Sequence, residues 1–174
     1  MTVVIRHMED SDLASIATLF AGQSVIDGTM RLPLASLDDT RRRLAPSPGA
    51  IRLVAIDDAV PADSPTAVLG VAELLTYPDL ARHRHAGELE LLAVRESAHG
   101  QGIGRRLLGE VVDLADQWLQ LTRLALIVWT DNLHAIALYE SAGFRIEGTM
   151  PAYGWRKGTF TDAHVMGRVL PVAR

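Results

Sequence analysis

Apolar positions along this chain alternate between a period of two and a period near 3.6, and the points where the period changes delimit the elements. Residues 2–7 are rich in β-branched side chains and predict a first strand. Asp10, Ser11 and Asp12 then offer caps for a helix carrying Leu13, Ile16, Ala17 and Phe20 on one stripe. Gly22 and Gly28 bracket a segment, 23–34, without regular pattern. Ser36 and Asp39 lie three apart, as a capping box requires, and open a short helix ending near Leu44, before Pro46 and Pro48. Residues 50–56 and 67–76 read as strands around a proline loop, 59–65, expected to vary in path. Residues 88–94 form a short apolar run, with Glu88, Glu90, Leu92 and Val94 expected on one face. A helix after Gly104 carries Leu107, Leu108, Val111, Val112, Ala115, Trp118 and Leu119, a stripe that should pack on a sheet with Trp118 in the core. Residues 123–130 predict another strand, and Asp131-Asn132 caps a helix through Ala135, Ile136, Leu138 and Tyr139 to Ala142, closed by Gly143. Residues 144–149 and 163–169 read as closing strands separated by a Gly- and aromatic-containing hairpin. Strands alternating with helices predict an α/β (α+β) fold built on one sheet.

At 174 residues the chain is expected to form one domain, 1–174, with a sizeable core. Its net charge of −4 and pI near 5.8 give no global basic field for nucleic acid. Cysteine is absent, which removes disulfides and thiolate chemistry and is compatible with a reducing compartment. No apolar run is long enough to span a bilayer and the first residues lack a signal-like core, so a cytoplasmic protein without membrane attachment is expected. His83 and His85 lie between arginines with no third ligand indicated; they read as a solvated turn, and no metal site is expected.

The chemistry concentrates where the 88–94 run meets the next helix through His99-Gly100-Gln101-Gly102-Ile103-Gly104-Arg105. A strand that enters a helix through a glycine-rich turn presents free N–H groups to an anion. A Walker loop is excluded because Gly104 and Gly109 are followed by Glu110 and Val111. The dinucleotide fingerprint is excluded too: the position of its third glycine is held by Arg105 or Leu107, depending on the starting glycine.

Two motifs, in order, resemble those of the GCN5-related N-acetyltransferases, the GNAT family. One is the Gln/Arg-x-x-Gly-x-Gly/Ala loop, here residues 99–104. The other is Asn-x-x-Ala-x-x-x-Tyr-x-x-x-Gly-Phe, here Asn132, Ala135, Tyr139, Gly143 and Phe144. His99 stands where the family usually has Arg or Gln; that position contributes mostly backbone N–H, so cofactor binding should survive with an altered outer contact. The segments 29–33, 118–124 and 147–149 are most similar to bacterial amino-acid N-acetyltransferases, which act on free L-amino acids such as Phe and Met.

The resemblance implies a mixed, mostly antiparallel sheet of about seven strands flanked by about four helices, and a homodimer. It implies acetyl-CoA as cosubstrate and a small-molecule amine as acceptor. The N–H groups of residues 100–105, including Gln101 and Ile103, would hold the pyrophosphate, with Arg105 and Arg106 adding charge. The pantetheine would pair along Leu92, Ala93 and Val94. Asn132 and Ala135 would touch the cofactor arm, although Asn132 serves equally well as a helix cap. Glu88 matches the strand glutamate that takes a proton from the amine, directly or through water; Glu90 and Glu73 remain alternatives. Tyr139 matches the helix tyrosine near the cofactor sulfur, as proton donor or as hydrogen-bond donor to the departing thiolate. Acceptor-binding candidates are Met30, Leu32, Glu90 and Tyr153, followed by Trp155, Asp162 and His164. Two other activities fit the same motifs: a protein lysine or N-terminal acetyltransferase, and a non-catalytic acyl-CoA-binding domain. The presence of both Glu88 and Tyr139 favours an enzyme.

Overall fold

A computed structural model describes residues 2–61 and 64–171. Its strands are β1 (Val3–His7), β2 (Ala50–Asp57), β3 (Val68–Thr76), β4 (Ala86–Val94), β5 (Arg123–Trp129), β6 (Arg145–Arg156) and β7 (Thr159–Val169). Its α-helices are α1 (Leu13–Phe20), α2 (Gln23–Gly28), α3 (Leu37–Arg43), α4 (Ile103–Asp113) and α5 (Leu133–Ser141). One sheet runs β1-β2-β3-β4-β5-β7-β6. The β4–β5 pair is parallel and every other pair antiparallel, so the mixed, mostly antiparallel sheet expected from the sequence is present.

Each face of the sheet buries its own core. On one face Leu107, Leu108 and Val111 of α4 and Ile136 and Tyr139 of α5 pack with Leu74, Leu89 and Leu124. On the other, Ile16, Leu19 and Phe20 of α1 and Val25 of α2 pack with Val54, Val71, Leu91 and Ala93. Ser36 caps α3 as expected: its Oγ accepts from Asp39 N–H at 3.1 Å while the Asp39 carboxylate accepts from Ser36 N–H at 2.7 Å.

Three expectations change in three dimensions. The segment 23–34 begins with α2, a short helix whose amphipathic signal is too brief to register as a pattern; with it the described residues hold five α-helices, in keeping with the expected number of about four. Trp118 is not in the core but 78% exposed. The helix after α4 continues as a π-helical turn, Leu114–Trp118, and this change of winding rotates Trp118 off the stripe that Ala115 still follows into the core. The closing strands are much longer than 144–149 and 163–169: β6 is exposed along most of its length, so no buried-face alternation marks it in the sequence, yet the pairing continues to Arg156↔Thr159. Trp155 and Phe160 stack edge-to-face there, with ring centroids 4.8 Å apart. Of the proline loop, Ala62 and Asp63 lie outside the described residues.

Among the described residues no helix is long and apolar enough to cross a membrane. None of their His, Asp or Glu side chains group in threes that could hold a metal ion.

Candidate active site

The site originates in a failure of pairing. β4 and β5 are hydrogen-bonded only at Ala86↔Arg123, Gly87↔Leu124 and Glu88↔Ala125, and beyond Glu88 they part. Arg95 N–H donates to Leu69 O at 2.8 Å, and this sets the parity of the β3–β4 ladder. Leu91 and Ala93 therefore turn their main-chain groups towards β3, whereas Leu92 and Val94 turn theirs into the gap left by β5. A strand with an unpaired edge is a template for an extended ligand. The cleft that opens here has a volume of about 1580 Å³. That exceeds the roughly 300–1,000 Å³ of a single drug-sized pocket.

One end of the cleft is the glycine turn. Gly100 (φ +73°) and Gly102 (φ +75°) both occupy the left-handed region, which explains glycine at these positions, and Gly102 is the N-cap of α4. His99, Gly100, Gly102, Ile103, Gly104 and Arg105 all line the cleft, beside the first turn of α4. Gln101 does not: its side chain turns back to donate to Ser97 O at 3.2 Å. Arg106 is likewise directed elsewhere, donating to Val3 O at 2.9 Å. The ring of His99 contacts Val94 O through Nε2 at 3.0 Å. One acceptor on the open β4 edge is thus engaged by the protein itself, which leaves the Leu92 amide and carbonyl and the Val94 amide facing the gap.

The middle of the cleft holds the carboxylates, and here the single-face expectation fails. Register passes from Leu74↔Leu89 to Glu73↔Leu91, so β4 carries one extra residue, Glu90, in a bulge. Leu89 lies in the same core that Leu92 and Val94 pack against, while Leu91 and Ala93 lie in the opposite one. Glu88 is therefore on the face opposite to Leu92 and Val94. The bulge keeps the Glu88 and Glu90 carboxyls close to each other, and both line the cleft. Desolvation raises the Glu90 pKa, and the neighbouring Glu88 carboxyl raises it further by charge and hydrogen bonding, with Arg43 opposing. Tyr77 stands beside this pair. Burial, a hydrogen bond to Glu88 and the charge of Glu88 and Glu90 push its phenol up to about 12. Glu73 is removed from the list of bases. It is buried, accepts from Arg43 Nη1 at 3.0 Å to each oxygen, and accepts from Arg52 Nε at 2.7 Å.

Tyr139 is 8% exposed, with its ring 6.0 Å from that of Phe144 and part of its surface on the cleft wall. Burial pushes its phenol up to about 12, so it stays protonated throughout any working pH. Asn132 is the α5 cap, its Oδ1 accepting from Ala135 N–H at 3.2 Å, and it also lines the cleft together with Ala135.

The far end is formed by the segment after α2 and by the β6–β7 ribbon. Met30 and Leu32 line the cleft with largely exposed side chains, 64% and 80%. Tyr153 reaches it from β6, where the ladder skips from Met150↔Ala163 to Gly154↔Thr161, and it meets Trp129 edge-to-face at 5.8 Å. Three other candidates lie elsewhere. Trp155 stacks on Phe160, Asp162 accepts from Ala152 N–H at 2.7 Å, and His164 Nδ1 contacts Thr149 Oγ1 at 2.9 Å.

Sequence reasoning missed Arg31, Arg43, Tyr77 and Trp129. Arg31 lies within the 29–33 segment already singled out, but nothing local predicts that its guanidinium stacks 3.3 Å above the Phe20 ring centroid. Tyr77 comes close to Glu88 only because β3 and β4 pair Leu75↔Glu88 and Thr76↔Gly87.

A family model described as the Acetyltransferase (GNAT) family matches residues 29–144. The L-amino acid N-acetyltransferase AaaT of Escherichia coli (strain K12) is 33% identical over 168 residues, covering 96% of this chain and 98% of that protein. Among solved structures, a GNAT superfamily phosphinothricin acetyltransferase from Sinorhizobium meliloti, in complex with AcCoA, superimposes with a TM-score of 0.80 at 26% identity. That match covers 98% of this chain and 89% of the other. The GNAT-family acetyltransferase structure from Streptococcus pneumoniae, at 26% identity, superimposes with a TM-score of 0.77 over 98% of this chain and 100% of the other.

Proposed function

The chain belongs to the GNAT acetyltransferase family, and from that premise we propose that it transfers an acetyl group from acetyl-CoA directly to the primary amine of a small molecule, a free L-amino acid being the leading class. The observation that carries this reading is the open β4 edge between the left-handed glycine turn and the Glu88–Glu90 pair, all within one cleft. The relation to AaaT over nearly the whole of both chains supports an amino-acid acceptor. In this reading residues 1–174 form one N-acetyltransferase domain, cytoplasmic and homodimeric.

The residues fit the cosubstrate. Gly100, Gly102, Gly104 and Arg105, with the N–H groups that open α4, would hold the pyrophosphate. The Leu92 and Val94 amides and the Leu92 carbonyl would pair with the pantetheine arm, and Asn132 and Ala135 would line its path. Gln101, turned towards Ser97, would contribute backbone only. Bound there, acetyl-CoA supplies an acetyl group activated as a thioester.

The chain's own groups would then manage protons. An α-ammonium with a pKa of about 8 must lose a proton before its nitrogen can attack. Glu88, with the Tyr77 phenol beside it, accepts that proton directly or through water. Glu90 helps by binding the ammonium as an ion pair. Tyr139 keeps its own proton and donates a hydrogen bond where charge collects on the leaving sulfur. A phenol near 12 facing a thiol near 8.5 would make full transfer uphill by about 5 kcal/mol, so hydrogen bonding is the larger contribution.

Thiol release from acetyl-CoA, measured against free amino acids, polyamines, aminoglycosides and a lysine peptide, tests the proposal. With no cysteine the protein adds no thiol background. Release with free amino acids is the expected result. Release with the peptide alone would overturn the small-molecule reading, and tight acetyl-CoA binding without release on any amine would overturn the enzyme.

A further inference from the structure

Four arginine-related observations converge at the end of the cleft away from the glycine turn. Arg31 and Arg43 both line it. Arg43 and Arg52 share the single buried carboxylate of Glu73, with contacts of 3.0, 3.0 and 2.7 Å. Glu73 is thereby fully engaged, and Arg31 forms no salt bridge among the described residues. The Arg31 Nε is buried with no hydrogen-bond partner, and its guanidinium carbon lies 3.3 Å above the ring centroid of Phe20. A half-buried cation held over an aromatic ring, in no ion pair among the described residues and with only the already engaged Glu73 acting on it from a distance, is suited to receive an anion from the cleft. Burial and the nearby Arg43 lower its pKa to about 10, the signature of a cation short of compensation, yet it remains charged at neutral pH.

The opposite sign lies on the same cleft. Glu88 and Glu90 are neighbours there, and desolvation and mutual repulsion make a cation welcome between them. The acceptor end thus offers a carboxylate pair to an ammonium and an unpaired guanidinium to an anion. Resting on the acetyltransferase reading above, we propose that Arg31 is the specificity-determining residue that binds the acceptor's carboxylate, so that the enzyme selects zwitterionic amino acids over amines without a free carboxylate. Planar guanidinium and planar carboxylate match as a two-point pair, and the Phe20 contact holds the guanidinium in place before the ligand arrives. Thr29 steadies the backbone of the segment: its Oγ1 donates to Val25 O at 2.6 Å and accepts from Arg31 N–H at 3.4 Å. Met30 and Leu32, flanking Arg31 in sequence and also lining the cleft, suit an apolar amino-acid side chain.

The test compares kcat/KM for L-phenylalanine and L-methionine with their primary amides and with phenethylamine, in wild type, Arg31→Gln and Arg31→Lys. The acid-to-amide ratio in wild type is expected to be about 10²-fold or more, as when a charged hydrogen-bonding site is left unpaired by an analogue. Arg31→Gln should reduce that ratio about 10²-fold through KM of the acid, with KM for acetyl-CoA unmoved, and Arg31→Lys should recover part of it. Thermal unfolding of each variant separates this from loss of fold. Acids and amides used alike by wild type, or a ratio unchanged in Arg31→Gln, overturns the assignment while the transferase stands. Absence of transfer to every amine overturns both.

Discussion

Replacing Tyr139 by Phe removes one oxygen from a residue whose remaining atoms are structural. The ring packs against Phe144 in the core beneath α5, and phenylalanine preserves that packing. Stability should accordingly change by less than about 1 kcal/mol. Turnover should change far more. A single donor aimed at developing charge in a water-poor site is worth about 10²–10³ in rate, or roughly 3–4 kcal/mol. The pH dependence carries its own sign. The phenol is pushed up to about 12, so its proton is present at all working pH and no alkaline limb should arise from it below about pH 11. In the unfolded chain a tyrosine titrates near 10, so the native state holds this proton more tightly. Stability therefore falls as pH rises from about 10 to about 12, and Tyr139→Phe should remove part of that slope, Tyr77 supplying another part. The assay is thiol release from acetyl-CoA over pH 6–10 with a saturating amine, paired with acetyl-CoA affinity by calorimetry. Wild-type turnover in the variant would refute the role of Tyr139. A wild-type alkaline limb near pH 9 that vanishes in Tyr139→Phe would refute the high phenol pKa.

Three further outcomes are expected. Glu88→Gln should lower kcat/KM by about 10²–10³, most severely at low pH where the amine is fully protonated, and a pH–rate profile of unchanged shape would move the base to Glu90 or water. Gly102→Ala forces a Cβ into the left-handed region at φ +75° with open space around it, so the chain should fold with about 1–2 kcal/mol less stability and bind acetyl-CoA at least tenfold more weakly; calorimetry showing retained affinity would undo the glycine-turn assignment. Glu73→Ala strands Arg43 and Arg52 without their carboxylate and should cost about 3–5 kcal/mol, a drop of roughly 6–20 °C in Tm; an unchanged melting curve would mean that the triad is not a structural unit.

Features that depend on a few consecutive residues were determined by the sequence alone. A glycine at a left-handed φ, an Asn capping the next helix, a Ser-Asp capping box and a tyrosine one turn after Ala135 are local, and each lies where its neighbours in sequence require. The order of strands and helices followed from hydrophobic period for the same reason. What depended on partners distant in sequence was decided only by the tertiary structure. The bulge at Glu90 exists because β3 and β4 lose register between Glu73 and Leu74, and it reverses the face that a strict period of two assigns to Glu88. Glu73 looked like a candidate base until Arg43 and Arg52, 30 and 21 residues away, closed on it. Trp118 left the core because a π-turn changed the winding of its helix. Arg31 lies over the Phe20 ring and in no ion pair among the described residues only because the fold brings Phe20 beneath it and gives Glu73 to Arg43 and Arg52. A sequence specifies local geometry through backbone sterics and short hydrogen bonds, whereas charge balance and the side of a sheet are properties of the assembled neighbourhood.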